Sequence, residues 1–200
     1  GGTYDIGLQS LSGAMERGHD LTYICYDNGA YMNTGVQRSS ATPLGAATTT
    51  TPVGSESYGR NGNRKDLTRI MLAHNLGYVA QASIHDLHDL FRKMKKAIDH
   101  DGPSFINLLS PCIPGWKIDA DMAVESAREG VECNFWPLFE VENGKFTINH
   151  RPASKKPVAD WVLTQGRFKH LKKHPEVLEA FQAEVDKQWA WLEMEEARTR

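Results

Sequence analysis

The 200 residues are 40% hydrophobic and 24% charged, the balance of one globular domain with room for an appended tail. A formal charge of −2 at neutral pH argues against nucleic acid or an anionic membrane as the main partner, and no apolar run approaches the roughly 20 residues that span a bilayer. Three cysteines, Cys25, Cys112 and Cys133, are too few for a disulfide framework at this size, which favours a reducing, cytoplasmic setting.

The chain opens GGTYDIG, without Met and without the basic start of a signal peptide. It reads as the interior of a longer protein. Residues 1–18 begin with a glycine pair and pass into helical spacing, with Ile6, Leu11, Ala14 and Met15 on one face and Gly18 as the stop. Residues 21–26 (LTYICY) form a short buried β run. Residues 26–51 then lack hydrophobic periodicity and are rich in Gly, Asn, Ser and Thr. A segment of that length inside a compact domain is either functional or disordered, and its short polar groups suit a polar ligand.

After that loop, residues 64–76 read as helix and 77–82 as strand. Ser83 is a candidate N-cap with Asp86 at the capping-box position. The helix that follows carries Ile84, Leu87, Leu90, Phe91, Met94 and Ile98 at spacings of three and four, with Arg92, Lys93, Lys95 and Lys96 outside. Asp101-Gly102-Pro103 ends it, and residues 104–109 (SFINLL) form another buried strand. Helix and strand in alternation predict an α/β fold, a doubly wound and mostly parallel sheet with helices on both faces. Ligands of such sheets sit at the carboxyl ends of the strands, so the loops after 27 and after 109 should share one rim. Beyond 118 the character changes to a helix over 119–132, a hairpin around Glu142-Asn143-Gly144, a basic connector over 151–157 and a charged terminal helix from Pro175. The division is residues 1–118 as the α/β domain and 119–200 as a hairpin and helical extension, with Val177, Leu178, Phe181, Val185, Trp189 and Leu192 turned to its own core or to a partner subunit.

Taken as residues alone, Asn28 offers a neutral amide oxygen and Ala30 a backbone carbonyl two positions on, hard ligands of the kind magnesium takes beside phosphate oxygens. Gly1-Gly2-Thr3 at a helix entrance can turn N–H groups to a phosphate. A glycine pair before a helix is also common, and Asp-Asn-Gly is equally a turn. Gln37, Arg38, Ser39 and Ser40 can meet a substrate carboxylate or coenzyme A, with Arg38 the bidentate candidate, or simply brace the loop. Cys112 between two prolines can be an inert thiol. Cys25 and Cys133 read as structural, and His85 and His88 as a solvated helix face.

GGTYDIG, then YICYDNGAYMNTGVQRSSATPLGAATTTTPVG, then SPCIPGW together resemble the β subunits of the pyruvate:ferredoxin oxidoreductase (pyruvate synthase) family, among the thiamine-diphosphate-dependent 2-oxoacid:ferredoxin oxidoreductases. The likeness covers the first 120 residues or so closely and the tail more loosely. It implies a thiamine-diphosphate-binding fold in which Asn28 ligates Mg2+ through its side chain and Ala30 through its carbonyl. Gly1, Gly2 and Thr3 would lie along the diphosphate, Gly1 being the last glycine of a Gly-Asp-Gly whose metal-binding aspartate precedes it. Tyr31, Asn33 and Thr34 would border the thiazolium, with Asn33 donating to the oxygen that gains negative charge. Cys112 would be the distant fourth thiolate of a [4Fe–4S] cluster. The activity so implied is reversible oxidative decarboxylation of pyruvate to acetyl-CoA and CO2, with electrons passing to ferredoxin. It would work only in a hetero-oligomer with alpha-, gamma- and delta-type subunits, one of which supplies the glutamate that activates the cofactor. Another 2-oxoacid as substrate, or a structural subunit that kept the fold, are the rival readings.

Overall fold

The computed structural model describes every residue from Gly1 to Arg200. At its centre lies a five-stranded sheet in the order β1-β3-β2-β4-β5. β1 (Thr22–Asp27), β2 (Tyr78–Ser83) and β3 (Ser104–Leu109) are parallel. β4 (Phe139–Glu142) runs antiparallel to β2, and β5 (Lys145–Ile148) antiparallel to β4. Alternate residues of the parallel strands feed two cores. Cys25, Val79 and Phe105 pack with α1 (Leu8–Glu16) and α2 (Leu67–Leu72) on one face. Ala80, Ile106 and Leu108 pack with Leu90 and Ala97 of α3 (Leu87–Asp99) on the other. This is the doubly wound α/β arrangement expected from the alternation of helix and strand.

β2 and β3 are buried along their whole length because both faces are covered. β1 differs from the sequence reading. It is the edge strand, so only Cys25 and Asp27 are buried and Tyr26 stands 69% exposed. The first helix is interrupted too: a single π turn, Gly2–Ile6, precedes α1. That extra residue rotates the register, which turns Ile6 out to solvent and Tyr4 in.

α2 is shorter than expected because Asp66 caps it, its carboxylate accepting the Arg69 N–H at 2.9 Å. Asp86 caps α3 in the same way, from Asp89 N–H at 2.9 Å. Ser83, the expected cap, is instead the last residue of β2, opposite Leu109. α3 also meets the sheet on a different stripe. Leu90, Lys93 and Ala97 point inward, while Leu87, Phe91 and Ile98 are exposed. Lys93, expected outside, is fully buried; its ammonium donates to Asp89 at 2.5 Å and to the Gln81 carbonyl at 2.8 Å, the pairing a buried charge requires.

The C-terminal residues join the same sheet. Asn143 and Gly144 take φ of 50° and 80°, the left-handed pair of a two-residue hairpin. The largest core gathers Leu44, Leu109 and Trp116 with Phe135, Trp136, Trp161, Phe168 and Phe181. It is closed by α5 (Ala123–Glu132), α6 (Val158–Val162) and the long α7 (Pro175–Thr199). α6 and the 3-10 turns of Gly166–Lys173 had no clear signal in the sequence. No helix is long and apolar enough to cross a membrane.

Candidate functional site

β1 and β3 end level, Asp27 beside Leu109, and the Ser110 N–H donates to the Asp27 carbonyl at 2.9 Å. Two loops therefore leave one rim side by side, as the parallel strands demand. From β3 the chain enters Ser110-Pro111-Cys112 and the short α4 (Ile113–Trp116). From β1 it enters a stretch without helix or strand that lasts until Asp66. Trp116 Nε1 donates to the Asn28 carbonyl at 2.7 Å and ties the two loops together. Farther along, the long loop is organised by buried Arg60, which donates to the carbonyls of Gly62 at 3.0 Å, Asn63 at 2.6 Å and Ser39. Burial lowers that guanidinium pKa to about 10, with the Arg38 charge adding to the effect.

A cleft of about 280 Å³ opens at the end of β1. All eight residues proposed for the cofactor line it: Gly1, Gly2, Thr3, Asn28, Ala30, Tyr31, Asn33 and Thr34. Gly29 does not, and the reason is conformational. Its φ of +83° swings the chain so that its neighbours on both sides face the cleft, while a Cβ there would stand 3.0 Å from Arg167 Nη1. Asn28 is half-buried and Ala30 buried, and the Ala30 carbonyl accepts from the Gly1 nitrogen at 3.3 Å. The Tyr31 ring packs on Gly1, where a Cβ would come within 2.1 Å of it. Thr3 shares a 3.0 Å hydrogen bond with the Tyr23 hydroxyl.

Asn33 and Thr34 stand exposed at the mouth. Thr34 donates to Gln37 Oε1 at 2.5 Å, and Gln37 Nε2 returns a bond to the Thr34 carbonyl at 2.7 Å. Gln37 thus braces the loop. The Ser39 N–H donates to Thr42 Oγ1 at 3.0 Å, Ser40 donates to Asp5, and Arg38 is exposed. Cys112 is half-buried, its sulfur against Gly115 together with that of Met32, which itself lines the cleft. No group of three or more His, Cys, Asp or Glu side chains is assembled to hold a metal ion. Cys25 also lines the cleft, but burial and Asp27 push its thiol up to about 12, so it stays protonated. Cys133 is buried, its thiol on the Gly130 carbonyl at 3.5 Å. His85 is half-buried, shares a 3.0 Å bond with Ser83, and has its pKa lowered by burial.

Sequence reading placed Asp27 in the Asp27-Asn28 end of the diphosphate motif but missed the network it anchors at the cleft floor. Asp27, buried at the end of β1, accepts from Gly29 N–H at 3.0 Å and from the Tyr4 hydroxyl at 2.5 Å, and pairs with Arg64. Burial works against the Arg64 charge, but Asp27 and Tyr4 outweigh it and raise the guanidinium pKa. Arg167 lies buried with its guanidinium 4.0 Å above the Trp116 ring, and its Nη2 has no partner. Burial, chiefly, lowers its pKa to about 9. Tyr4, Arg64 and Arg167 are scattered along the chain, and no local spacing announces them. Only the aspartate closing a β run carried a signal.

Residues 1–108 match the family model for the thiamine pyrophosphate enzyme, C-terminal TPP binding domain. The chain is 53% identical over 171 residues to pyruvate synthase subunit PorB of Methanothermobacter marburgensis, covering 86% of this chain and 59% of that protein. Against the subunit of the same name from Methanocaldococcus jannaschii it is 51% identical over 186 residues, covering 93% and 62%. Ketoisovalerate oxidoreductase subunit VorB of Pyrococcus furiosus is 49% identical over 194 residues, with 96% and 62% covered. The solved 2-oxoglutarate:ferredoxin oxidoreductase of Magnetococcus marinus, with 2-oxoglutarate, coenzyme A and succinyl-CoA bound, is 26% identical at a TM-score of 0.50, covering 62% of this chain and 48% of that one. The chain thus spans 59% and 62% of the length of the two PorB relatives.

Proposed function

Because this chain belongs to the thiamine pyrophosphate enzymes, with the C-terminal TPP binding domain over residues 1–108, we propose that it is part of a subunit of a pyruvate:ferredoxin oxidoreductase. That enzyme oxidatively decarboxylates pyruvate to acetyl-CoA and CO2, reversibly, and passes the electrons to ferredoxin. The observation that carries the reading is the cleft itself: Asn28 and Ala30 face it from either side of Gly29, opposite Gly1 and Gly2.

The donor set fits a magnesium diphosphate. Asn28 supplies a neutral amide oxygen, and the Ala30 carbonyl keeps a free lone pair beside the N–H contact it already accepts. Two protein oxygens with the rest from phosphate and water is the way Mg2+ is usually held. Gly1, Gly2 and Thr3 line the other wall, where the diphosphate would run. Bound thiamine diphosphate supplies the carbanion chemistry. The protein's part is to orient it and to present the Asn33 amide, at the cleft mouth, to the oxygen that becomes negative. Cys112, on the adjoining loop, provides one thiolate of a [4Fe–4S] cluster whose other ligands lie outside this chain. About 280 Å³ is near the lower end for a small-molecule site, commonly about 300–1,000 Å³. This suits a site completed by a partner, in a cytoplasmic hetero-oligomer of alpha-, gamma- and delta-type subunits that takes up coenzyme A. In this reading residues 1–118 carry the cofactor and 119–200 add subunit contacts.

The test is titration of the assembled, cofactor-free complex with thiamine diphosphate and Mg2+, comparing the parent with Asn28→Ala. Saturable binding by the parent and at least tenfold weaker binding by the variant is expected. A parent complex that binds nothing would leave only a structural subunit. The 49% identical ketoisovalerate subunit makes a branched-chain 2-oxoacid the second reading. Turnover of 2-ketoisovalerate well above that of pyruvate would favour it.

A further inference from the structure

We propose that Asp27 is a positioning residue for the diphosphate cleft, one buried carboxylate setting both walls at once. The inference rests on the cofactor reading above and adds two buried residues of the cleft lining, Asp27 and Tyr4, to which that reading gives no role.

Asp27 is 3% exposed. Its Oδ1 accepts the Gly29 N–H at 3.0 Å, which closes the turn carrying Asn28 and Ala30. Its Oδ2 accepts the Tyr4 hydroxyl at 2.5 Å. Tyr4 lies in the π turn Gly2–Ile6, and the opposite wall of the cleft, Gly1 to Thr3, leads directly into it. A single carboxylate therefore spans the two segments. The other ties between the two segments are the 3.3 Å contact of the Gly1 nitrogen with the Ala30 carbonyl and the packing of the Tyr31 ring on Gly1.

The carboxylate is itself held. Arg64, from just before α2, pairs with Oδ2 and also donates to the Tyr4 oxygen at 2.6 Å. Asn107, on β3, donates to that same oxygen at 2.9 Å. The phenol thus gives one hydrogen bond and receives two, and both it and the carboxylate are buried, where such a network is rigid. Groups that orient metal ligands in this way commonly change affinity by about 10–100-fold when removed. The geometry separates positioning from charge. Tyr4→Phe leaves every charge in place and removes only the link between the π turn and the carboxylate.

The experiment uses the full-length chain in its assembled complex, stripped of cofactor. Thiamine diphosphate with Mg2+ is titrated calorimetrically, and the melting temperature of the cofactor-free complex is recorded beside it. Asp27→Asn is expected to weaken binding about 10–100-fold, and Tyr4→Phe about three- to tenfold, with the Tyr4→Phe complex melting within a few degrees of the parent. A merely structural role would lower the melting temperature and leave the affinity of the folded complex alone. Should Asp27→Asn fail to assemble, Tyr4→Phe decides. Parent-like affinity in Tyr4→Phe, or tighter binding in Asp27→Asn, overturns the proposal while leaving the function intact. A parent that binds no cofactor defeats the functional reading, and this inference with it.

Discussion

At the scale of single residues, the cleft depends on one backbone conformation. Gly29 sits at φ +83°, and a Cβ there would press on the buried Arg167 guanidinium. Left-handed backbone costs an L-residue roughly 1–2 kcal/mol, so Gly29→Ala should lower stability by about that much in urea unfolding. It should also weaken thiamine diphosphate binding, because Asn28 and Ala30 can no longer both face the cleft. Cys112 calls for a different readout. Cys112→Ser in the assembled enzyme should remove one [4Fe–4S] signal from the electron paramagnetic resonance spectrum while cofactor binding persists; an unchanged spectrum would reject the ligand role.

Glu140 is a residue whose effect depends on pH. It is buried, and burial by itself would raise its pKa. Hydrogen bonds from Tyr78 at 2.7 Å and Arg92 at 2.6 Å, with the Arg92 and Lys96 charges, bring it down to about 2 instead. A carboxylate depressed in the folded state stabilises above its unfolded pKa of 4.5 and loses that contribution as pH falls toward 2. The contribution is on the order of 3 kcal/mol. Urea midpoints of the parent and Glu140→Gln should therefore lie far apart at pH 7 and draw together between pH 4.5 and about 2.

At the scale of elements, α7 does two jobs along its length. Its first half drives Val177, Phe181 and Val185 into the largest core. Phe181→Ala should cost about 3–5 kcal/mol, the usual range for a large aromatic lost from a packed core. Its last turns cover β5, the outer strand of the hairpin. Glu196 accepts the Ile148 N–H at 2.8 Å, and Thr199 the Phe146 N–H at 2.9 Å. Side chains of a helix thus satisfy an edge that would otherwise be free to pair with another chain. Glu196→Ala should speed hydrogen exchange at Ile148 about tenfold, on the scale of a lost charge-assisted bond, and leave exchange in β3 unchanged.

At the scale of the whole molecule, four cores are arranged around one sheet, and the cleft lies at its outer strand, lined in part by exposed Tyr26. In the proposed reading the cleft is completed by a partner subunit. The isolated chain is therefore expected to show no pyruvate turnover, with activity appearing when its partner subunits are added. Steady-state ferredoxin or dye reduction measures this directly, and turnover by the chain alone would contradict the shared site.

The sequence by itself determined the α/β class, the level rim of β1 and β3 and the Asn143-Gly144 hairpin, and the family resemblance named eight of the fourteen residues that line the cleft. These features rest on local periodicity, on turn chemistry, or on motifs read contiguously along the chain. The tertiary structure alone decided that β1 is an edge strand, that α3 buries Lys93 and exposes Phe91, and that a π turn redirects Ile6. It also alone brought Tyr4, Asp27, Arg64 and Asn107 to a common point. Each of these depends on which neighbour covers a face, or on contacts between residues up to 103 positions apart. A side chain's partners at such distances are chosen by packing, which no local window of sequence contains.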